Sequence, residues 1–112
     1  VYNDYEIGIG AQIHPGAVIM PAVEIGEQCI VNTRASVDHE CVIEAGCEVG
    51  PGATLCGCIT MRTNSWVCAG VTVAPGVTIG RNSIVGAGAT VLGDVEDDSI
   101  YVGIPAVKMR DL

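Results

Sequence analysis

An aliphatic side chain stands at every sixth position from Ile7 to Val91, fifteen times in register: Ile7, Ile13, Ile19, Ile25, Val31, Val37, Ile43, Val49, Leu55, Met61, Val67, Val73, Ile79, Val85 and Val91. A short fixed period over most of a chain is the mark of a solenoid and outranks local propensity. Within each hexad a second, mostly small position lies two residues before the aliphatic one, as in Ala35 before Val37 and Ala53 before Leu55. Residues two apart point to the same side of a strand. The Gly-, Pro- and Asn-rich positions in between, such as Pro51-Gly52 and Pro75-Gly76, supply turns. No helical period survives beside this pattern.

The bulk properties narrow the function. A chain of 112 residues is one domain. A net charge of −8 argues against nucleic acid and anionic membrane as partners. No apolar run approaches the length of a membrane span, and no segment resembles a signal peptide. Six cysteines suit a disulfide scaffold in a secreted chain, but Cys29, Cys41 and Cys47 fall in the small inward slot. They read as core thiols of a cytoplasmic protein. Cys29 and Cys47 stand one coil apart, near enough for a disulfide on distance alone, and the reducing compartment argues against one. The chain opens on Val1 rather than Met, so it reads as processed, tagged or cut from something longer.

Hexads of this kind resemble the hexapeptide-repeat acyltransferases. The resemblance implies an all-β fold, a left-handed parallel β-helix in which three successive hexads make one triangular coil. Left-handedness comes from the resemblance, because the general rule for parallel crossovers predicts the opposite hand. Fifteen hexads then make five coils, a prism roughly 24 Å tall at ~4.8 Å per strand. Residues 1–6 are expected as a lead-in, 7–96 as the β-helix and 97–112 as a cap and tail. A thin prism leaves apolar faces uncovered, so a homotrimer is expected of a three-sided column.

Positions eighteen apart must then stack. The column through His39 is Pro21, His39, Gly57, Pro75, Gly93. One corner carries Asp38-His39-Glu40 beside Cys56-Gly57-Cys58. Another carries Asn32 with Gly50, Cys68 and Gly86, flanked by the column Thr33, Pro51, Ala69, Ala87 and by the column Ile30, Glu48, Trp66, Ile84. Asn32 and His39 belong to one coil but to different corners. They meet only if the His39 corner of one subunit faces the Asn32 corner of its neighbour, which places three sites in a trimer.

The segment Asn32-Thr33-Arg34-Ala35-Ser36-Val37-Asp38-His39-Glu40-Cys41 resembles the "N-T…-(E/D)-H-(D/E)-C" signature of one hexapeptide family, and Tyr101-Val102-Gly103-Ile104-Pro105-Ala106 is similar to its closing "V-V-G-(N/V)-P-A". That family contains the sialic acid O-acetyltransferases and the UDP-sugar N-acetyltransferases. The resemblance implies an acetyl-CoA-dependent acetyltransferase acting on an amine or hydroxyl of a sugar or nucleotide-sugar. It implies His39 as general base, a role that suits an imidazole with an ordinary pKa near ~6.5. Glu40 holds the other ring nitrogen, Gly57 offers its N–H to the thioester oxygen, and Asn32 joins from the next subunit. Ala69 and Ala87 line the pantetheine path, and Lys108 with Arg110 meets the CoA phosphates. Members often carry a histidine against acetyl-CoA where this chain has Glu48. A nucleotide-sugar-binding βαβ domain normally precedes the β-helix in this family, and none is visible in this sequence. Either the chain is a fragment lacking its acceptor domain or it is a stand-alone version with another acceptor.

Two other classes compete. A γ-carbonic-anhydrase-type zinc site needs three imidazoles, and only His14 and His39 exist, in different columns. No resident metal is therefore expected. A purely structural β-helix gives no reason for His39, Glu40 and Gly57 to converge. Cys56 and Cys58 flank Gly57 and read most plainly as small turn residues, with transit acylation or metal binding beside His39 as the sharper alternatives.

Overall fold

The computed structural model describes residues 5–112 and contains, among them, seventeen strands and no helix. Three parallel sheets run the length of the molecule as the faces of a prism. The first face holds β1 (Tyr5–Ile7), β4 (Val23–Ile25), β7 (Val42–Ile43), β10 (Thr60–Met61) and β13 (Thr78–Ile79). The second holds β2 (Gln12–Ile13), β5 (Ile30–Val31), β8 (Glu48–Val49), β11 (Trp66–Val67) and β14 (Ile84–Val85). The same sheet is extended by β16 (Ser99–Val102) and β17 (Val107–Asp111). The third holds β3 (Val18–Ile19), β6 (Ser36–Val37), β9 (Thr54–Leu55), β12 (Thr72–Val73) and β15 (Thr90–Val91). The sequence places a lead-in over residues 1–6. Residues 1–4 lie outside the described residues, and Tyr5 and Glu6 already pair with Val23 and Glu24 in the first sheet.

Each coil pairs with the next in the register that the hexads predict: Ile7 with Ile25, Val37 with Leu55, Val67 with Val85. The aliphatic and small positions both face inward. Val37, Ala35, Leu55 and Ala53 are fully buried, and the core is continuous from Ile19 to Val95. Each such aliphatic contributes on the order of 1.5–3 kcal/mol of burial. Where the small slot is polar, it is satisfied: the Ser83 hydroxyl donates to the Gly80 carbonyl, and Ser65 lies 3.4 Å from Cys47 Sγ.

Between strands, one backbone position per hexad takes a positive φ, from Gly10 through Gly88. Glycine is the unstrained choice there. Yet Arg34, Glu40 and Cys58 occupy the same position with φ of 59°, 59° and 61°. A left-handed conformation costs a non-glycine residue roughly 1–2 kcal/mol, which the ladder around each turn holds in place.

The period ends in a change of register. After Val91 the stacking offset shortens by two positions, with Val95 above Ile79 and Ile100 above Ile84. Acidic side chains tie the shortened turn to the coil below. Asp94 accepts from the Thr78 N–H, Asp97 from the Arg81 N–H and Asp98 from the Asn82 side chain. β17 then folds back antiparallel on β16 and closes the upper end of the second face. The molecule is 38 Å long and 22 by 21 Å across. That length exceeds the height of five coils alone.

Candidate active site at two corners of the prism

The turn from the third face to the first carries Asp38, His39 and Glu40. Asp38 Oδ1 accepts the His39 N–H at 2.7 Å, the Glu40 N–H donates to the Pro21 carbonyl at 3.2 Å, and the Cys58 N–H donates to the His39 carbonyl at 2.9 Å. His39 is therefore fixed in its backbone by the coils below and above it. Its ring lies across Gly57. A Cβ added to Gly57 would stand 2.5 Å from Nε2 and 2.7 Å from Cε1, closer than any real contact. Only the absence of a side chain at 57 lets the imidazole occupy this position. Among the described residues the Gly57 N–H has no acceptor, although its carbonyl receives the Gly76 N–H at 3.0 Å.

On the other side of the ring, Nδ1 lies 3.3 Å from Glu40 Oε1. A carboxylate accepts and does not donate, so this contact selects the tautomer with hydrogen on Nδ1 and a lone pair on Nε2. The site thus presents a basic nitrogen against Gly57, whose backbone N–H is unpaired. Both side chains are more than half exposed.

The turn from the second face to the third carries Asn32 and, two and three coils up, Ala69 and Ala87. Asn32 Oδ1 accepts from the Thr33 N–H at 2.7 Å and from the Thr33 hydroxyl at 3.3 Å. Ala69 and Ala87 are exposed, and the Gly88 N–H donates to the Ala69 carbonyl at 2.9 Å. Backbone and small side chains line this edge. Glu48 projects from β8 between Ile30 and Trp66. Partial burial pushes the nearby Cys68 thiol upward from its ordinary pKa, and the Glu48 charge adds to the effect. Lys108 lies on β17, where its Nζ contacts Asp111 Oδ1 at 2.6 Å and Glu96 Oε1 at 3.2 Å. These carboxylates, Asp111 first, hold its pKa above the lysine value.

His39 and Asn32 stand at opposite ends of the third face. Of the expected site residues, the structure brings together His39, Glu40 and Gly57. It gathers Asn32, Ala69 and Ala87 along a separate edge with Glu48 near it, and sets Lys108 at the capped end. His14 lies beside Gln12 on the lower second face, away from His39. A cavity of about 220 Å³ opens on the third face between the two corners, lined by Val18, Met20, Ser36, Asp38, Thr54 and Cys56, with Leu55 as its floor. Sequence reasoning did not mark it. Its signal was the outward column Val18, Ser36, Thr54, which repeats at the same coil-to-coil spacing.

The six cysteines are free. Cys29 and Cys47 donate to the carbonyls of Glu44 and Arg62 at 3.0 and 3.1 Å rather than to a disulfide. Cys41 donates to the Cys56 carbonyl at 3.2 Å beneath the His39 turn, and burial pushes its pKa up to about 11.

The sequence profile described as "Bacterial transferase hexapeptide (six repeats)" matches residues 59–93. Among solved structures, the chain is similar to the acetyltransferase domain of PglB from Neisseria gonorrhoeae FA1090 in complex with acetyl coenzyme A. The TM-score is 0.95 at 30% identity, over 96% of this chain and 53% of that one. A histidine-to-alanine variant of GDP-perosamine N-acetyl transferase from Caulobacter crescentus, in complex with CoA and GDP-perosamine, matches with TM-score 0.85 at 32% identity, over 99% of this chain and 56% of that one. WeeI from Acinetobacter baumannii AYE matches with TM-score 0.92 at 29% identity, over 95% of this chain and 52% of that one. The chain spans about half the length of these structures.

Proposed function

We propose that the chain is the acetyl-transfer β-helix of an acetyl-CoA-dependent acetyltransferase whose acceptor is an amine or hydroxyl of a sugar or nucleotide-sugar. The observation that carries this reading is the imidazole of His39 lying against Gly57, whose N–H is unpaired. Similar structures hold acetyl-CoA, or CoA with a nucleotide-sugar, which supports donor and acceptor class.

In this reading Nε2 of His39 takes the proton from the acceptor as its nitrogen or oxygen attacks the thioester carbonyl. Glu40 orients the ring and stabilises the imidazolium that forms. The carbonyl oxygen gains charge in the tetrahedral intermediate, and the Gly57 N–H donates to it. Collapse expels the CoA thiolate, which recovers the proton from His39. The donor lies along Ala69 and Ala87 of a neighbouring subunit in a homotrimer, with Asn32 on the same edge. Lys108 and Arg110 meet the CoA phosphates, which requires Lys108 to exchange a carboxylate partner for a phosphate. Glu48 stands where members of the family often carry an imidazole against acetyl-CoA; its carboxylate either repels the thioester oxygen or helps to hold a cationic acceptor. Among the described residues no helix is long and apolar enough to cross a membrane, and we place the reaction in the cytoplasm.

The test is CoA release from acetyl-CoA over a panel of amino- and hydroxy-sugars and their nucleotide derivatives, for the wild type and His39→Ala. Loss of a general base lowers turnover about 10²–10⁴-fold. Equal turnover in both proteins removes the mechanism.

A further inference from the structure

Cys58 has no part in the mechanism above, yet its thiol stands within reach of the two side chains that do. One ring nitrogen of His39, a carboxylate oxygen of Glu40 and Cys58 Sγ all lie within 4.8 Å of one another, and all three residues are exposed. The convergence follows from the fold. Glu40 and Cys58 hold the same position in adjacent coils, so they stack, and both take the left-handed turn conformation that directs the side chain out of the corner. His39 precedes Glu40 and leans over Gly57, which precedes Cys58. Cys56 is different: it is half-buried on the third face, against the cavity.

We propose that His39, Glu40 and Cys58 form a binding site for a thiophilic divalent cation of the zinc class, and that the bound ion switches off the base. The donor set is one imidazole, one carboxylate and one thiolate, the three ligand types that zinc prefers. A thiolate and a carboxylate neutralise the dication, and the chain's net charge of −8 favours its approach. Tetrahedral zinc with bonds of ~2.0–2.3 Å sets its ligands roughly 3.3–3.7 Å apart. Closing from 4.8 Å takes small rotations of exposed side chains. Three protein ligands leave the fourth position open to water.

The consequence for the base does not depend on which ring nitrogen binds. A neutral imidazole has one lone pair. If the ion takes Nε2, the acceptor proton has no destination. If it takes Nδ1, Nε2 must carry the hydrogen and is no longer basic. Glu40, engaged by the ion, also stops orienting the ring. This inhibitory half rests on the acetyl-transfer reading; the metal site itself does not.

The experiment uses the full chain, freed of metal, titrated with Co²⁺ as a spectroscopic stand-in for Zn²⁺. The expected result is a near-ultraviolet thiolate-to-cobalt band that Cys56→Ser keeps and Cys58→Ser loses. Cobalt affinity in Cys58→Ser should fall at least about tenfold, the minimum loss seen when metal-site partners are removed. No band in the wild type, or a band that survives Cys58→Ser, overturns the site. In parallel, Zn²⁺ should inhibit CoA release by the wild type and not by Cys58→Ser, whose metal-free turnover should match wild type. Zinc-insensitive turnover in a wild type that shows the band overturns the inhibitory half. If the metal-free chain releases no CoA with any acceptor, the acetyl-transfer reading falls and the inhibitory half with it, while the cobalt spectrum still decides the site.

Discussion

The two corners flanking the third face are built from the same hexad but present opposite chemistry. At the His39 corner, polar side chains are displayed and the glycine is recessed beneath an imidazole that fills the space its Cβ would need. At the Asn32 corner, the amide oxygen is spent on the Thr33 turn, and the coils above it offer Pro51, Ala69, Ala87 and backbone. In the proposed reaction the first corner serves the reacting atoms and the second the length of the acetyl-CoA donor. Because one chain holds them at opposite ends of a face, each alone is half of the proposed site.

The sharpest way to break this contrast is within the His39 column. Gly57→Ala places a methyl 2.5 Å from Nε2 and must displace the ring. Misplacing a catalytic group by about 1 Å costs on the order of 10²-fold, so acetyl transfer should fall by about that factor. Gly93→Ala, higher in the same column, meets nothing within 4 Å and should leave the rate unchanged. Equal effects of the two substitutions, read in steady-state turnover, would mean that the ring's position over Gly57 is irrelevant.

At the other corner, Ala69→Glu adds bulk and negative charge along the donor's proposed path. The KM for acetyl-CoA should rise about tenfold or more, equivalent to ~1.4 kcal/mol, with little change in thermal stability because Ala69 is exposed. A rise in KM for the acceptor instead would exchange the roles of the two corners.

The smallest effect concerns the core beneath the His39 turn. The Cys41 thiol is raised by burial from 9.0 to about 11, so the folded chain keeps a proton that the unfolded chain loses. Its stabilisation is intact below pH 9 and fades as pH climbs towards 11, by an amount of about 2–3 kcal/mol. Melting temperature against pH should show this alkaline decline, and Cys41→Ala should flatten part of it.

Most of this architecture is legible in the sequence because an inward column at a fixed coil-to-coil spacing leaves the chain few choices. The stacking of Gly57 with His39 follows from arithmetic, and so does the separation of Asn32. What is not legible has local causes. The shortened offset follows Val91, where the aliphatic marker ends; Asp94 takes the Thr78 N–H that a regular coil gives to a backbone carbonyl, and Asp97 and Asp98 pair with Arg81 and Asn82. In the sequence these residues look like surface charge. Lys108 looks like a free cation, while β17 brings it to Asp111 and Glu96. The grouping of Cys58 with Glu40 needs side-chain directions at a left-handed turn, which the hexad alone does not specify.

The central claim is that a working site takes its His39 corner from one subunit and its Ala69 corner from another. Mixed oligomers of His39→Ala and Ala69→Glu, assembled by co-refolding and assayed at acetyl-CoA well below its KM, test it directly. In a cyclic trimer with random mixing, about a quarter of the interfaces combine two intact corners, so the mixture should recover about a quarter of wild-type turnover. Turnover no higher than the mean of the two parent variants would place both corners' functions within one chain and contradict the account.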